Sequence, residues 1–285
     1  MRFSIYASPR SGHQMPSADA LKAGLEKHGH EAVVTNEGPD PEADVAVVWG
    51  WRTGARAKQH HPGRDVLVME RSYVKDRFHW TSFGWNGLNG HAAFFVPEGR
   101  PERWDAYFAD QIAPERTGGD YALILGQVHG DASLRTCSDL EVWYAQQAHR
   151  WTALGVPVFF RDHPKAKGRW APHIPRRDGD LAEALAGAHS VIAWNSNGLV
   201  DAALAGYCVY AGDPGTMAYP VCNLTSPYPR KPTAFNRLAW ARDLAWTQWT
   251  LDEVASGLAI PIILAGCEEL PFNKRRGEYN VPASK

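Results

Sequence analysis

Between Tyr121 and Tyr210 four short apolar runs are separated by longer helix-like stretches, and few architectures accept that rhythm. Tyr121-Ala-Leu-Ile-Leu125, Val156-Pro-Val-Phe-Phe160, Ser190-Val-Ile-Ala193 and Cys208-Val-Tyr210 read as strands, with helices over Leu140 to Leu154, Asp180 to Ala188 and Leu199 to Ala205. Regular alternation of this kind predicts an α/β, doubly wound sheet whose strands are mostly parallel.

The first part of the chain has a related grammar. Met1 to Ala7, Glu31 to Thr35, Asp44 to Trp49 and Asp65 to Met69 read as buried strands, and Leu21, Leu25 and His28 recur at helical spacing. At 285 residues the chain reaches the size, roughly 250 to 300 residues, where single cores stop growing. The proline- and glycine-containing stretch from Pro97 to Gly119 supplies the break. The expected organisation is therefore an N-terminal domain over 1–117, a second over 118–232, and a helical segment over 233–285. That last segment is broken by Gly257 and Pro261, and its polar end from Pro271 is expected to be loosely ordered.

Bulk properties exclude more than they assign. A net charge of -1 gives no global sign of a polyanionic partner, so nucleic-acid binding would need a local patch. No apolar run approaches the roughly 20 residues that span a bilayer. Cys137, Cys208, Cys222 and Cys267 lack CxxC spacing, and no basic-apolar leader precedes the first strand, which predicts a reducing, cytoplasmic setting without structural metal. There is no Gly-x-Gly-x-x-Gly after a strand, no P-loop lysine motif and no Gly-x-Ser-x-Gly elbow, which disfavours dinucleotide, P-loop and α/β-hydrolase chemistry. The adjacent His60 and His61 have no metal-ligand spacing and read as exposed loop. Tryptophan is frequent, with 12 residues. Core packing and stacking on sugars or bases both account for that.

Open parallel sheets bind ligands beyond the carboxyl ends of their strands, which directs attention to four loops. The first carries Gln127, Asp131 and Ser133, and the second Arg161, His163 and Lys165. The third is Asn195-Ser196-Asn197-Gly198 with Asp201 behind it, and the fourth is Gly212-Asp213-Pro-Gly-Thr216. Two permanent cations and an imidazole on one loop suit phosphate oxygens. Serine and asparagine ahead of a helix fit either a bound anion or plain capping, and Gly-Asp-Pro-Gly fits either a ligand or a turn.

For acid–base chemistry the first part offers Glu70, directly after Val66-Leu-Val-Met69, then His13 in the Ser-Gly-His turn, then Asp76. The alternatives are that Glu70 pairs with Arg71 or Arg52 and that His13 caps the helix behind it. From Arg52 to Arg77 the chain has seven basic residues against three acidic ones, with Trp80, Phe83 and Trp85 close by. That composition suits either phosphate contacts with an aromatic for an extruded base or a solvated loop beside core aromatics.

The order strand, His-Pro loop, helix, strand, Asn-Ser-Asn-Gly, Asp-bearing helix, Gly-Asp-Pro over Tyr121 to Pro220 resembles the donor-binding half of GT-B glycosyltransferases. The likeness is to the branch that includes capsular polysaccharide synthesis enzymes; sugar-nucleotide epimerases have similar loops. Val48-Trp-Gly-Trp-Arg52, Val68-Met-Glu-Arg-Ser-Tyr73 and Asp76 to Gly90 resemble segments of phage-encoded glycosyltransferases, some of which decorate hydroxymethylpyrimidines in DNA. The resemblance implies two Rossmann-like domains facing a cleft, with a nucleotide-sugar donor, a UDP-sugar first, bound by the second domain without a divalent metal. A C-terminal helical segment would cross back to the first domain. Arg161, His163 and Lys165 would face the donor phosphates, Ser196 and Asn197 the phosphate end, and Asp201 or Asp213 the ribose or sugar hydroxyls. The family's ribose-binding glutamate is missing from the second helix. Glu70, His13 or Asp76 would serve the acceptor, with Arg52, Arg71, Arg77, Trp85 and Asn86 contacting double-stranded DNA with 5-hydroxymethylcytosine or 5-hydroxymethyluracil. A saccharide acceptor and a non-catalytic nucleotide-binding or adaptor module are the alternatives.

Overall fold

The computed structural model describes residues 1–77, 79–166, 171, 173–225 and 233–281. The boundary expected at 232 lies outside them, as do residues 282–285. The chain forms two compact units: unit 1 is Met1–Ala109 with Arg242–Lys274, and unit 2 is Asp110–Ala241 with Arg275–Lys285.

Unit 1 begins with β1 (Arg2–Tyr6), α1 (Gln14–Lys27), β2 (Glu31–Thr35), β3 (Val45–Trp49), α2 (Trp51–His60) and β4 (Asp65–Arg71). Strand β5 (Trp80–Trp85) and helix α3 (Glu102–Tyr107) follow. Unit 2 contributes β6 (Tyr121–Leu125), α4 (Leu140–Ala153), β7 (Val158–Arg161), α5 (Leu181–Leu185), β8 (Ala188–Ala193), α6 (Gly198–Leu204), β9 (Cys208–Ala211) and β10 (Asn223–Leu224). Helix α7 (Arg237–Ala245) contains the change of unit, after which β11 (Gln248–Thr250), α8 (Leu251–Ala255) and α9 (Ile260–Ala265) return to unit 1. Gly257, at φ 89°, and the proline that opens α9 divide this stretch where the sequence suggests.

The six strands of unit 1 lie in the order β11-β5-β4-β3-β1-β2. Strands β1 to β4 are mutually parallel, whereas β5 runs antiparallel to β4 and β11 antiparallel to β5. The carboxyl ends of β1, β3 and β4 therefore share one edge, and β5 ends at the opposite one. The core draws on distant sequence: Phe3, Ile5, Leu21, Leu25, Val47, Leu67 and Met69 pack with Trp249, Val254, Ile260 and Ile263. At Gly24 on α1 a side-chain carbon would run into the Val254 carbonyl and the Ile260 side chain, so glycine there lets α8 approach closely.

Among the described residues unit 2 has a five-stranded sheet, all parallel, in the order β7-β6-β8-β9-β10. Numbered within the unit this is 2-1-3-4-5, one of the two common doubly wound orders, and its strand direction of progress reverses between β6 and β8. The abundance of tryptophan is largely a matter of packing, because Trp80, Trp85, Trp104, Trp143, Trp151, Trp240 and Trp249 are all buried. Up to Val281 the polar C-terminal stretch is anchored by buried side chains. Phe272, Asn273 and Tyr279 are buried, and Phe235 bridges to Asn280.

Candidate functional site

In unit 1 the shared strand edge gathers three of the sequence-selected residues. His13 stands at the entrance to α1 with its ring edge-on to Trp49, the last residue of β3, at a centroid distance of 4.6 Å. Its side chain makes no capping bond, which removes the capping alternative. The Arg71 guanidinium, from the end of β4, reaches His13 Nδ1 at 3.5 Å, and Ser11 Oγ lies 3.2 Å from the same nitrogen. Since a guanidinium only donates, Nδ1 accepts and the neutral ring carries its proton on Nε2. Burial and the Arg71 charge both hold His13 below its ordinary pKa.

Glu70 belongs to the same edge. Its Oε1 accepts the Arg71 backbone N–H at 2.9 Å, so the carboxylate is oriented by the strand end itself. Gly50, at φ 68°, turns the chain from β3 into α2, donating its N–H to the Met69 carbonyl at 3.0 Å. A side-chain carbon at Gly50 would sit 3.7 Å from Glu70 Oε2, so the glycine keeps the space beside that carboxylate open. Asp76, the third acid–base candidate, is exposed in the β4–β5 loop and binds His79 at 2.6 Å.

The acceptor residues divide between the two edges. Arg52 opens α2 and Arg77 lies in the β4–β5 loop, both following carboxyl ends of parallel strands. Trp85 and Asn86 do not join them. Strand β5 is antiparallel, so both emerge at the opposite edge, with Trp85 only 2% exposed and its indole N–H bonded to the Ile263 carbonyl at 2.6 Å. Asn86 accepts from Val66 N at 3.0 Å and donates to Asp65 at 2.9 Å, closing the start of β4. Neither is placed to meet an acceptor alongside Glu70. The basic stretch splits in the same way: Arg64 donates to the backbone carbonyls of Asp40 and Pro41, and Lys58 pairs with Asp65.

In unit 2 the loops after β6, β8 and β9 come together through their side chains. Gln127 Nε2 donates to Asn195 Oδ1 at 2.8 Å, and Asn195 N donates back to Gln127 Oε1 at 3.1 Å. Asn195 Nδ2 donates to the Ser133 carbonyl at 2.7 Å and to Asp213 Oδ1 at 3.1 Å. Asp213 also accepts from Gly215 N at 2.7 Å and from Thr136 Oγ1 at 2.7 Å. Asn195, Asp213, Gln127 and Thr216 are all buried. These side chains hold the loops to one another, and Thr216 Oγ1 accepts from Ala218 N. Gly212 passes between two rings, where a side-chain carbon would meet both Trp143 and Trp194 at 2.7 Å.

The Asn-Ser-Asn-Gly turn is also self-contained. Ser196 Oγ accepts from Gly198 N at 3.2 Å, while Leu199 N and Val200 N donate to Ser196 and Asn197 carbonyls. Asn197 makes no side-chain cap bond, and α6 is seven residues long. The N–H groups of Gly198, Leu199 and Val200 are thus engaged within the turn, and a short helix supplies little dipole. Asp201 sits in the first turn of α6, partly buried, and Asp131 caps the turn ahead of Ser133.

The His-Pro loop keeps its cationic character. His163 Nδ1 accepts from Lys165 N at 3.1 Å, which puts the proton of the neutral imidazole on Nε2, pointing a donor away from the loop. Lys165 is exposed. Arg161 reaches the Asp180 carbonyl at 3.3 Å, at the start of α5. Gly126 allows β6 and β7 to end side by side, since a side-chain carbon there would press on the Phe160 ring at 2.9 Å. Among the described residues no group of three or more His, Cys, Asp or Glu could hold a metal ion, and no helix is long and apolar enough to cross a membrane.

Neither a family model nor a curated protein matches the sequence. Solved structures do. The Thermosulfurimonas dismutans KpsC, beta Kdo 2,7 transferase, is 12% identical at a TM-score of 0.59, over 92% of this chain and 99% of the other. The beta Kdo 2,4 transferase of the same organism's KpsC is 13% identical at a TM-score of 0.57, over 85% and 90%. At this identity the likeness is one of fold: two Rossmann-like α/β domains of the GT-B class.

Proposed function

We propose that the chain is a glycosyltransferase that moves a sugar from a nucleotide-sugar to a hydroxyl acceptor. The observation that carries the reading is the meeting of Glu70, His13 and Arg71 at one strand edge of a fold shared with Kdo transferases. In this reading Glu70 takes the proton from the acceptor hydroxyl, and the oxygen attacks the anomeric carbon. The bond from that carbon to the phosphate oxygen breaks, and its electron pair leaves with the nucleotide. His13 donates from Nε2 to the sugar or acceptor. Lys165, His163 and Arg161 offset the charge that grows on the departing phosphate, a role that cationic side chains fill in place of a divalent ion. Ser133, Ser196, Asn197, Gly198 and Asp201, on the segments that follow β6 and β8, are the further groups offered to the donor.

The acceptor is the finer part of the proposal. A hydroxymethylpyrimidine in DNA is supported by Arg52, Arg71 and Arg77, which lie at or beyond the carboxyl ends of β3 and β4; the loss of Trp85 and Asn86 from that edge leaves this support narrower. A saccharide hydroxyl is the competing acceptor.

The test is mass spectrometry of acceptors incubated with the protein and a panel of sugar nucleotides. One arm uses 5-hydroxymethylcytosine and 5-hydroxymethyluracil DNA, digested to nucleosides; the other uses oligosaccharides. A gain of one glycosyl mass with release of free nucleotide is expected in one arm, and the arm that gains it names the acceptor class. Tight nucleotide binding with every acceptor mass unchanged would leave a non-catalytic binding module.

A further inference from the structure

Gln127, Asn195 and Asp213 are polar and buried, with Asn195 bonded to both of the others, and the β8 turn does not need the Asn195 side chain to close. The β8 loop closes through Ser196 Oγ and its own backbone, and the β9 loop through Asp213 and Gly215. What the larger network adds is a link between loops that are far apart in sequence. Asn195 alone reaches all three: Gln127 after β6, the Ser133 carbonyl further along that loop, and Asp213 after β9. Its Oδ1 and Nδ2 all have partners, so the amide can adopt one orientation only. The network reaches Thr136, an exposed residue whose hydroxyl donates to Asp213 Oδ2 at 2.7 Å and lies 3.4 Å from the Trp194 indole nitrogen. Trp194 is itself edge-on to Trp143 at 5.4 Å. Loops and ring are therefore set by one chain of hydrogen bonds, and that chain crosses between β6 and β8, where the strand order reverses.

We propose that Asn195 is the positioning residue of the nucleotide site, acting through Gln127, Asp213 and Thr136 to hold the β6, β8 and β9 loops and Trp194 in the geometry that a nucleoside phosphate requires. This rests on the glycosyltransferase reading above. Its consequence is specific: affinity for the nucleotide depends on the network, whereas turnover of donor already bound does not. A residue that serves folding alone has no such split.

The experiment measures nucleotide affinity by calorimetry with UDP, CMP, ADP and TDP, together with donor KM, kcat and thermal stability. Thr136→Val keeps shape at an exposed position and removes the hydroxyl. Asn195→Asp sets two carboxylates side by side and turns an acceptor toward the Ser133 carbonyl. The expected result is a loss of about tenfold in nucleotide affinity for Thr136→Val at unchanged melting temperature, with donor KM rising to match and kcat within about twofold. Asn195→Asp should lose more. Wild-type affinity in Thr136→Val or in a folded Asn195→Asp, or a fall in kcat at constant KM, would overturn the proposal. If the wild-type chain binds none of the four nucleotides, the nucleotide-site reading fails with it, and that outcome is distinguishable because it precedes any substitution.

Discussion

The Arg103 guanidinium grips both carboxylate oxygens of Glu253 at 2.5 and 2.9 Å, joining α3 to α8 across 150 residues of sequence. It also donates to the Ala245 and Gln248 carbonyls and lies 3.9 Å from the centre of the Trp249 ring. Both partners are buried. Removing one leaves the other charged without compensation, so Arg103→Ala should lower the stability of unit 1 by about 3 to 5 kcal/mol, measured by urea unfolding. Burial pushes the Glu253 carboxyl up, but the hydrogen bond and charge of Arg103 with the Thr250 donors outweigh it and leave it below 4.5. A lowered carboxyl contributes stability that is present above 4.5 and lost as pH falls through the lowered value. The acid limb of the stability curve should flatten in Glu253→Gln.

Glu70→Gln keeps an oxygen for the Arg71 N–H and removes the capacity to take a proton. Transfer should fall on the order of a hundred- to ten-thousandfold, while nucleotide affinity stays near that of the wild type. Steady-state kinetics beside calorimetry separates the two, and near-normal turnover would take the base role from Glu70.

His13 should titrate below 6.5, because burial and then Arg71 both disfavour the imidazolium. The unfolded chain binds that proton more readily, so the folded state loses stability as pH falls below 6.5 toward the lowered value. Ring resonances followed by NMR give the value directly. Arg71→Gln should move it upward, and a measured value above 6.5 in the wild type would contradict the environment described.

Gly212→Ala places a methyl against Trp143 and Trp194 together. Overpacking of that kind costs about 1 to 3 kcal/mol, and the displaced Trp194 should weaken nucleotide binding as well. Differential scanning calorimetry and nucleotide titration of the same variant check both.

What the sequence made legible follows from where the chain is buried. Strands β6, β8 and β9 are covered on both faces and read as continuous apolar runs, so Tyr121 to Leu125 and Ser190 to Ala193 stand out unaided. Strand β5, Trp80-Thr-Ser-Phe-Gly-Trp85, is wholly buried but mixes hydroxyls with aromatics, and it passes for a polar aromatic loop. Strand β11 has three residues, too few for any periodicity. Loop polarity pointed to a set of strand ends in unit 2, but polarity has no direction. Whether Asn195 faces ligand or Gln127 depends on a residue 68 positions away, and local pattern carries no such information. The Arg103–Glu253 pair was invisible for the same reason.

Unit 1 is also a problem of timing. Domains of a growing chain usually close in the order they are made, yet the core around Phe3, Leu21 and Leu67 is completed by Trp249, Val254, Ile260 and Ile263. Unit 2 takes Asp110–Ala241 almost uninterrupted. During synthesis the segment made first therefore cannot complete its core until residues 249–263 have been made.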